Sequence, residues 1–566
     1  MSKKILVVGG VAGGASAAAR LRRLNEKDQI IIFERGVHVS FSNCSLPYRL
    51  SDVVSSPEAL VLLEPSDFAS QYNIDVRVRN EVLSIDRAAK EVLVKNHLSG
   101  DTYIESYDKL ILSPGAQPIT PAIKGLDLIN HFTLRNVVDI ETLHQFLKSR
   151  KPANVIVVGG GFIGIETAEN INMAGHKVTV IEAAPQILRQ FDFDMVQILH
   201  KELYDHGIPL LLGDGIQFFE KDTVVLQSGK KLHVQAVVFA TGIRPETVLA
   251  EEAQLEIGFT GAIKVDSNNL TTDKDIYAIG DAIELYGSLF KDTFTLPLAG
   301  PAQKQARQAA DHIHGLPVVN RGYIGSSIIK VCGKNAAATG LSEAFIKSRR
   351  IDVEYDTVKV IPSDMVSLMP DSNVIHFKLL YEKSTGKVLG AQAIGNGNVD
   401  KRIDVIATLI KMNGTIDDLK DLELCYAPPF GTAKDVVNFA GYVASNRRKD
   451  TFKQVHDYQI RELVEAGSLI IDVRGKEQYE LSHIFTAKNI PFEQIRTRIS
   501  ELPKKRPLFI HCRTGLDSYN VVLMLQQLGF VDVYNIAGGF LGISYYEFFT
   551  DQTTGRKPIL TGYNFN

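Results

Sequence analysis

Val155-Ile156-Val157-Val158-Gly159-Gly160-Gly161-Phe162-Ile163-Gly164 runs from an apolar strand through three spaced glycines into a helix that carries Glu166. The next apolar run, Val178-Thr179-Val180-Ile181, ends on Glu182. A βαβ turn of this kind lets backbone approach a pyrophosphate, faces it with a helix N-terminus, and offers the later acid to a ribose hydroxyl. The chain opens on a second copy: Ile5-Leu6-Val7-Val8, then Gly9-Gly10-Val11-Ala12-Gly13-Gly14, an Ala-rich helix, and Ile30-Ile31-Ile32-Phe33 ending on Glu34. Val11 takes the place of the middle glycine. One such turn can be a glycine-rich bend without a ligand; two in one chain imply two dinucleotides. The simplest chemistry joining them is hydride transfer from a nicotinamide to a flavin. Glu182 repels a 2'-phosphate, and Ala183-Ala184 brings no arginine to hold one, so NADH is expected over NADPH.

A chain of 566 residues exceeds one hydrophobic core and predicts several domains. With 45% hydrophobic and 22% charged residues it has the balance of globular domains, which excludes a disordered or fibrous design. Its 62 basic and 65 acidic residues, net -3, create no global field for nucleic acid or an anionic membrane, and neither is an expected partner. The first residues run straight into a strand too short for a signal peptide or membrane span. The four cysteines, Cys44, Cys332, Cys425 and Cys512, lie far apart without metal-ligand spacing. Neither a disulfide framework nor a metal site is implied, and a cytoplasmic location is expected.

Cys44 sits in Ser40-Phe41-Ser42-Asn43-Cys44-Ser45-Leu46-Pro47-Tyr48, soon after Glu34, where the chain should come back across a flavin ring. Its polar neighbours argue for a reactive thiol rather than a small core residue. No second cysteine lies nearby, so reduction must pass through a mixed disulfide with substrate.

Together with the two turns, Ser113-Pro114-Gly115-Ala116, Ala240-Thr241-Gly242 and Asp275-Ile276-Tyr277-Ala278-Ile279-Gly280-Asp281 resemble the two-dinucleotide disulfide reductase family over residues 1 to about 446. The resemblance implies an FAD-binding domain split over 1–120 and 247–322, an NAD-binding domain at 121–246 and a dimerisation domain at 323–446, with the strand-rich stretch 358–393 in the last. Asp281 would bond the ribityl chain of FAD. Cofactor contacts are expected from Gly9, Gly13, Gly14, Glu34, Gly159, Gly161, Gly164, Glu166, Glu182, Gly242, Gly280 and Asp281.

Residues 40–48 resemble the coenzyme A disulfide reductase subgroup, whose pattern is Ser-Phe-x-Asn-Cys-x-Leu-Pro-Tyr, with Ser45 where glycine is commonest. The likeness implies coenzyme A as substrate or bound ligand, with Ser40 and Asn43 beside it. Tyr426, in Cys425-Tyr426-Ala427-Pro428-Pro429-Phe430, resembles the subgroup's Tyr-Ala-Pro-Pro motif, which implies a role beside Cys44 of a second copy in a homodimer. A tyrosine packed in a proline-rigid loop is the alternative. Lys434 is a further substrate candidate or a surface lysine. Arg20, Arg22 and Arg23 form either a site for coenzyme A phosphates or a solvated basic face.

Leu368-Met369 precede Pro370 where the subgroup has tyrosine, which alters the expected substrate contacts. NADH oxidases and peroxidases of this fold carry a histidine where Ala12 stands, so peroxide chemistry lacks its proton donor. No histidine lies between His376 and His456 to supply an acid in the manner of glutathione reductase. Cys332 follows the apolar run Ile328-Ile329-Lys330-Val331 and is expected in the core; Cys425 is a candidate second thiol.

After the charged joint Asn446-Arg447-Arg448-Lys449-Asp450 a new α/β pattern begins. Ile471-Asp472-Val473-Arg474, residues 483–491 and Phe509-Ile510-His511-Cys512-Arg513-Thr514-Gly515 resemble a rhodanese domain, assigned to 454–566. Cys512 ends a strand and opens a loop before a helix predicted over 519–528, so backbone N–H groups can stabilise a thiolate or persulfide. Asp517 replaces a frequent arginine and disfavours anionic donors, with Arg513 a partial compensation; a docking module without activity is the alternative.

The expected fold class is therefore α/β: two dinucleotide-binding, Rossmann-like domains, an α+β dimerisation domain and a C-terminal α/β rhodanese-like domain. The expected activity is NADH-dependent reduction of coenzyme A persulfide, which releases coenzyme A and hydrogen sulfide through a Cys44 mixed disulfide while the rhodanese domain transfers sulfane sulfur. Alternatives are a coenzyme A disulfide or polysulfide reductase, an NADH oxidase or peroxidase, and a flavin redox sensor.

Overall fold

Strand Lys4–Val8, which feeds the first glycine turn, lies between two parallel neighbours, Gln29–Glu34 and Lys109–Leu112. Asp75–Val78 and Ile276–Ala278 complete five parallel strands. The last comes from a stretch far along the chain, so residues before 120 and after 247 share one sheet. Helices Ala12–Leu24 and Ala299–Ile313 pack close through Ala17, Ala18, Ala306, Ala309 and Ala310, and all five bury completely. Coverage by helices explains why these strands read as continuous apolar runs rather than alternating ones.

The structure is a computed structural model that describes residues 2–565; Met1 and Asn566, the outer ends of the first and last expected domains, lie outside the described residues. The chain forms two units. One comprises the residues up to Pro185 with Leu211–Tyr323, and the other Gln186–Leu210 with the residues from Ile324 onward.

In the first unit the second glycine turn repeats the plan of the first. Asn154–Val158 lies parallel between Lys177–Glu182 and Ala236–Phe239, with His131–Thr133 on the outer side of the latter. In both sheets the turn leaves a strand whose parallel neighbours lie on opposite sides, the switch point at which open α/β sheets bind ligands.

The second unit holds an antiparallel sheet in the order Ser326–Val331, Lys334–Gly340, Val388–Gly395, Ile375–Glu382, Tyr355–Val360. Helices Val399–Lys411 and Val436–Arg448 pack against it. A parallel sheet follows, in the order Lys453–Val455, Val533–Ile536, Leu508–His511, Leu469–Asp472, Lys488–Asn489. The α/β class and its four expected kinds of layer are thus present. Among the described residues no helix is long and apolar enough to cross a membrane, and no cluster of three or more His, Cys, Asp or Glu could hold a metal ion.

Three local readings differ from expectation. Residues 186–210, assigned to the NAD-binding stretch, belong to the second unit. Cys332 is not in the core: the strand ends at Val331, and Cys332 enters the hairpin turn with φ 51°, partly exposed. The helix after Cys512 begins earlier, at Leu516, and ends at Gln527.

Buried charge explains the first difference. Lys378 Nζ meets Glu343 at 2.7 Å, Asp194 at 2.8 Å and Asp192 at 3.1 Å, and Lys359 bridges Asp194 and Asp457. Burial pushes the Asp194 carboxyl up, but the two lysines outweigh it and hold that carboxyl well below the usual range. The pairs join helix Phe193–Asp205, the antiparallel sheet and the start of the C-terminal domain in one dry cluster. Lys378→Met takes the shared cation from the buried Asp192 and Asp194 and the partly exposed Glu343 and is expected to destabilise the protein by about 3–5 kcal/mol. Thermal melting of Lys378→Met and of the double variant with Asp194→Leu checks this: the single variant melts lower, and the double recovers part of the loss.

Candidate active site

The two glycine turns owe their shape to backbone contacts that no side chain tolerates. Gly9 has φ +93°, and a Cβ there would lie 2.1 Å from the Ser113 carbonyl oxygen; Gly159 has φ +109° and stands in the same way against Ala240. A Cβ on Gly14 or Gly164 would come within 2 Å of the Gly9 or Gly159 carbonyl oxygen. Gly161 differs, since a Cβ there would meet nothing within 4 Å, the open space a nucleotide needs. The two acids are held alike. Glu34 accepts from the N–H groups of Gly10 (2.9 Å) and Gly36 (2.8 Å), and Glu182 from those of Gly160 (2.7 Å) and Ala184 (2.8 Å).

Beside the first turn lies a cleft of about 400 Å³ that gathers Gly9, Gly13, Glu34, Asn43, Gly280 and Asp281. Asn43 Oδ1 is buried there without a hydrogen-bond partner among the described residues, and Gly13 leaves only 2.8 Å between a hypothetical Cβ and Ser113 Oγ. An unfilled acceptor and a side-chain-free cradle beside a helix N-terminus fit FAD. Burial pushes the Asp281 carboxyl up, opposed by Arg135. Arg135, like Arg35 and His38, is a lining residue that sequence reading missed. Its guanidinium lies against Gly115, and burial disfavours its charge despite Asp281. Only Asn136 beside it leaves a signal, as the side-chain cap of helix Val137–Lys148.

Cys44 occupies a one-turn 3-10 helix, Asn43–Ser45, beside the Ser42–Ser45 hydroxyl pair (2.8 Å), and is exposed. Burial of part of its surface pushes the thiol up, and Glu166 and Asp281 push it further. Glu166 thus acts on Cys44 as well as lying on the helix of the second turn, Phe162–Met173. Ser40 has φ 49° and donates its N–H to the Gly10 carbonyl at 2.9 Å, tying the Cys44 loop to the first turn. Gly242, with φ +106°, accepts from Ile119 N–H beside the second sheet.

The arginine cluster is largely occupied. Arg20 pairs with Asp311 at 2.6 Å, Arg22 is buried on the carbonyls of Asn25, Glu26, Tyr72 and Asn73, and Arg23 lies over the Tyr72 ring.

Tyr426, Lys434 and Cys512 belong to the second unit. Tyr426 is 50% exposed on a loop with Phe430 (65%), and the neighbouring loop shows Leu368 (89%), linked through Val366 N–H to the Pro428 carbonyl. Lys434 lies over the Tyr442 ring. Cys512 is 2% exposed, and its Sγ accepts from Gly515 N–H at 3.1 Å. Ser518 Oγ, 3.5 Å from that sulfur, donates to Asn535 Oδ1 at 2.7 Å, a support that contiguous sequence does not announce. Asp517 is exposed.

A family model for pyridine nucleotide-disulphide oxidoreductases matches residues 3–306, and the model for that family's dimerisation domain matches 326–436. The chain belongs to this family. A rhodanese-like domain matches residues 457–545. The oxidoreductase is 33% identical over 442 residues to coenzyme A disulfide reductase of Staphylococcus aureus, covering 78% of this chain and 99% of that protein. Among solved structures it resembles reduced CoADR-RHD of Bacillus anthracis (40% identity, TM-score 0.93, 96% and 98% of the two chains). It also resembles a NAD-dependent persulfide reductase of A. fulgidus (32% identity, TM-score 0.90, 96% and 100%). The oxidoreductase is accordingly an FAD-dependent enzyme that uses a pyridine nucleotide.

The two kinds of glycine contact make different predictions. Gly161→Ala leaves the melting temperature unchanged and weakens NADH binding, read by titration; Gly164→Ala lowers the melting temperature, because helix and turn must move apart.

Proposed function

We propose that this oxidoreductase uses NADH to reduce coenzyme A persulfide and related coenzyme A disulfides or polysulfides, releasing coenzyme A and, from the persulfide, hydrogen sulfide. One observation carries the reading: Cys44 is the only cysteine before Cys332, and it adjoins Asn43, which lines the cleft that fits FAD. A lone thiol there must take its second sulfur from the substrate. Ala12 lines the same cleft and brings no proton donor, which favours sulfur over peroxide. The named activities of the S. aureus and A. fulgidus proteins support the same choice.

In this mechanism Cys44 Sγ attacks the coenzyme A sulfur, a new S–S bond forms, and the outer sulfur leaves as sulfide. FAD held by Gly9, Gly13, Gly280 and Asp281 would supply the redox chemistry that lets NADH reduce this mixed disulfide. Coenzyme A then departs as a thiol, with Tyr426 of a second copy as the proton donor in a homodimer. The exposed Tyr426 and Leu368 loops and the dimerisation domain support that assignment. Ser40 and Asn43 flank the substrate, and Arg23, exposed over the Tyr72 ring, is its phosphate contact, since Arg20 is taken up by Asp311. Cys512 carries sulfane sulfur: the Gly515 N–H aimed at its sulfur supplies the partial positive charge a persulfide anion needs.

NADH consumption by FAD-loaded enzyme with coenzyme A persulfide, coenzyme A disulfide, polysulfide and peroxide tests the reading. Coenzyme A persulfide turns over fastest, Cys44→Ser is silent with every sulfur substrate, and Cys512→Ser slows only turnover that begins from a sulfur donor. Full sulfur activity in Cys44→Ser, or peroxide as best acceptor, overturns it. The fixed carboxylate of Glu182 favours NADH over NADPH; Glu182→Ala narrows the ratio of kcat/KM values by about tenfold, about 1.4 kcal/mol.

A further inference from the structure

Cys512 follows strand Leu508–His511, and Asn535 lies beside that strand on Val533–Ile536, in register with Ile510. Asn535 is 6% exposed, and Ser518, on helix Leu516–Gln527, is fully buried. A buried amide is costly unless its polar atoms are bonded. Asn535 Nδ2 donates to the Gly515 carbonyl at 3.3 Å, and Asn535 Oδ1 accepts from Ser518 Oγ at 2.7 Å. Gly515 in turn presents its N–H to Cys512 Sγ at 3.1 Å, and Ser518 Oγ lies 3.5 Å from the same sulfur. One amide therefore holds two groups that face the sulfur.

The direction of these bonds is fixed. A carbonyl only accepts, so the amide must turn Nδ2 to Gly515 and Oδ1 to Ser518, and Oδ1 only accepts as well. The Ser518 hydroxyl has a single proton, and that proton is spent on Asn535. Resting on the proposed role of Cys512 as carrier of sulfane sulfur, we propose that Asn535 is a positioning residue. It withholds the Ser518 proton from the resting Cys512 thiol and releases it to the sulfur only when Sγ turns anionic. Rotation about the Ser518 Cβ–Oγ bond makes the exchange, since a hydrogen bond to an anion outweighs one to a neutral amide. In loading from a polysulfide, Sγ bonds to the terminal sulfur of the donor and the next S–S bond breaks. The shortened polysulfide leaves with the electron pair and the thiol proton.

The titratable groups around the loop have other partners or face water. Asp472 pairs with Arg474 at 2.6 Å, and His511 turns Nδ1 to the Cys512 carbonyl at 3.2 Å and Nε2 towards Asp472 at 3.6 Å. Burial disfavours the charged form of His511, opposed by Asp472. Arg513 is half-buried, which disfavours its charge, and Asp517 is exposed. From the other side the Cys512 carbonyl accepts from Phe540 N–H at 2.9 Å, on helix Gly539–Thr554.

Rates of iodoacetamide alkylation against pH, followed on the Cys512 peptide by mass spectrometry, test the inference in FAD-loaded wild type, Asn535→Leu, Ser518→Ala and the double variant. Flavin content and melting temperature report that each is folded. In Asn535→Leu the freed hydroxyl serves Sγ, and the alkylation midpoint moves down by about one pH unit, because a hydrogen bond to the charged form favours it. Asn535→Ala gives the same shift and replaces the leucine variant if that one does not fold. Ser518→Ala moves the midpoint up, and adding Asn535→Leu to it brings no downward shift, since no proton is left to release. Loading by polysulfide, read as one added sulfur on the same peptide, extends to lower pH in Asn535→Leu. A midpoint unmoved or raised in the folded Asn535 variants, or the same downward shift in the Ser518→Ala background, overturns the inference and leaves Asn535 a brace for the loop. Should polysulfide load no sulfur on wild-type Cys512, the carrier role fails, while the alkylation midpoints still read the hold of Asn535 on the Ser518 proton.

Discussion

Two backbone contacts, Gly14 on the Gly9 carbonyl and Gly164 on the Gly159 carbonyl, set the geometry of the nucleotide-binding half of this enzyme. Each brings the first turn of a helix against the strand that feeds it, which aims unpaired N–H groups at the space beyond the sheet edge. Around the first turn the chain arranges Glu34, Asn43, Gly280 and Asp281 from segments far apart in sequence. The Cys44 loop hangs from the same turn, since Ser40 donates its N–H to the Gly10 carbonyl. A shift at the first turn would therefore reach both the cleft and the Cys44 loop.

The second unit is organised by charge rather than by close backbone approach. Two lysines and three aspartates, Asp192, Asp194 and Asp457, are buried together, with the partly exposed Glu343 beside them. Isolated buried charges are costly, and the cluster is tolerable because each cation meets several anions at hydrogen-bond distance. Its strength is directional, so it specifies how the antiparallel sheet, the inserted helix and the C-terminal domain meet.

What could be read from sequence was whatever lies in one contiguous stretch. Both glycine turns, their terminal acids, the loop around Cys44 and the strand-to-loop run at Cys512 are local patterns with a local physical cause. Features that depend on distant segments were illegible. Arg135 enters the cleft because its loop passes over Gly115, and Ser518 and Asn535 brace the Cys512 loop only once two strands are paired. Cys332 was misread because an apolar run says nothing about the residue at which it turns, and a left-handed φ at Cys332 ends the strand one residue early. The arginines at 20, 22 and 23 look alike in sequence, whereas Arg22 is buried on main-chain carbonyls and Arg20 is paired with Asp311.

Helix Phe193–Asp205 is, in effect, on loan: it is encoded within the nucleotide-binding stretch but stands in the second unit, where Asp192 and Asp194 meet Lys378. The compact units are therefore not continuous stretches of the chain. A fragment cut at Ile324 would carry Lys378 with Glu343 but without the two aspartates, and it would expose the surface of helix Gly539–Thr554 that the lent helix covers. Recombination that exchanged the dimerisation and rhodanese-like domains between related enzymes would have to carry this helix along, or rebuild the cluster around a neutral residue.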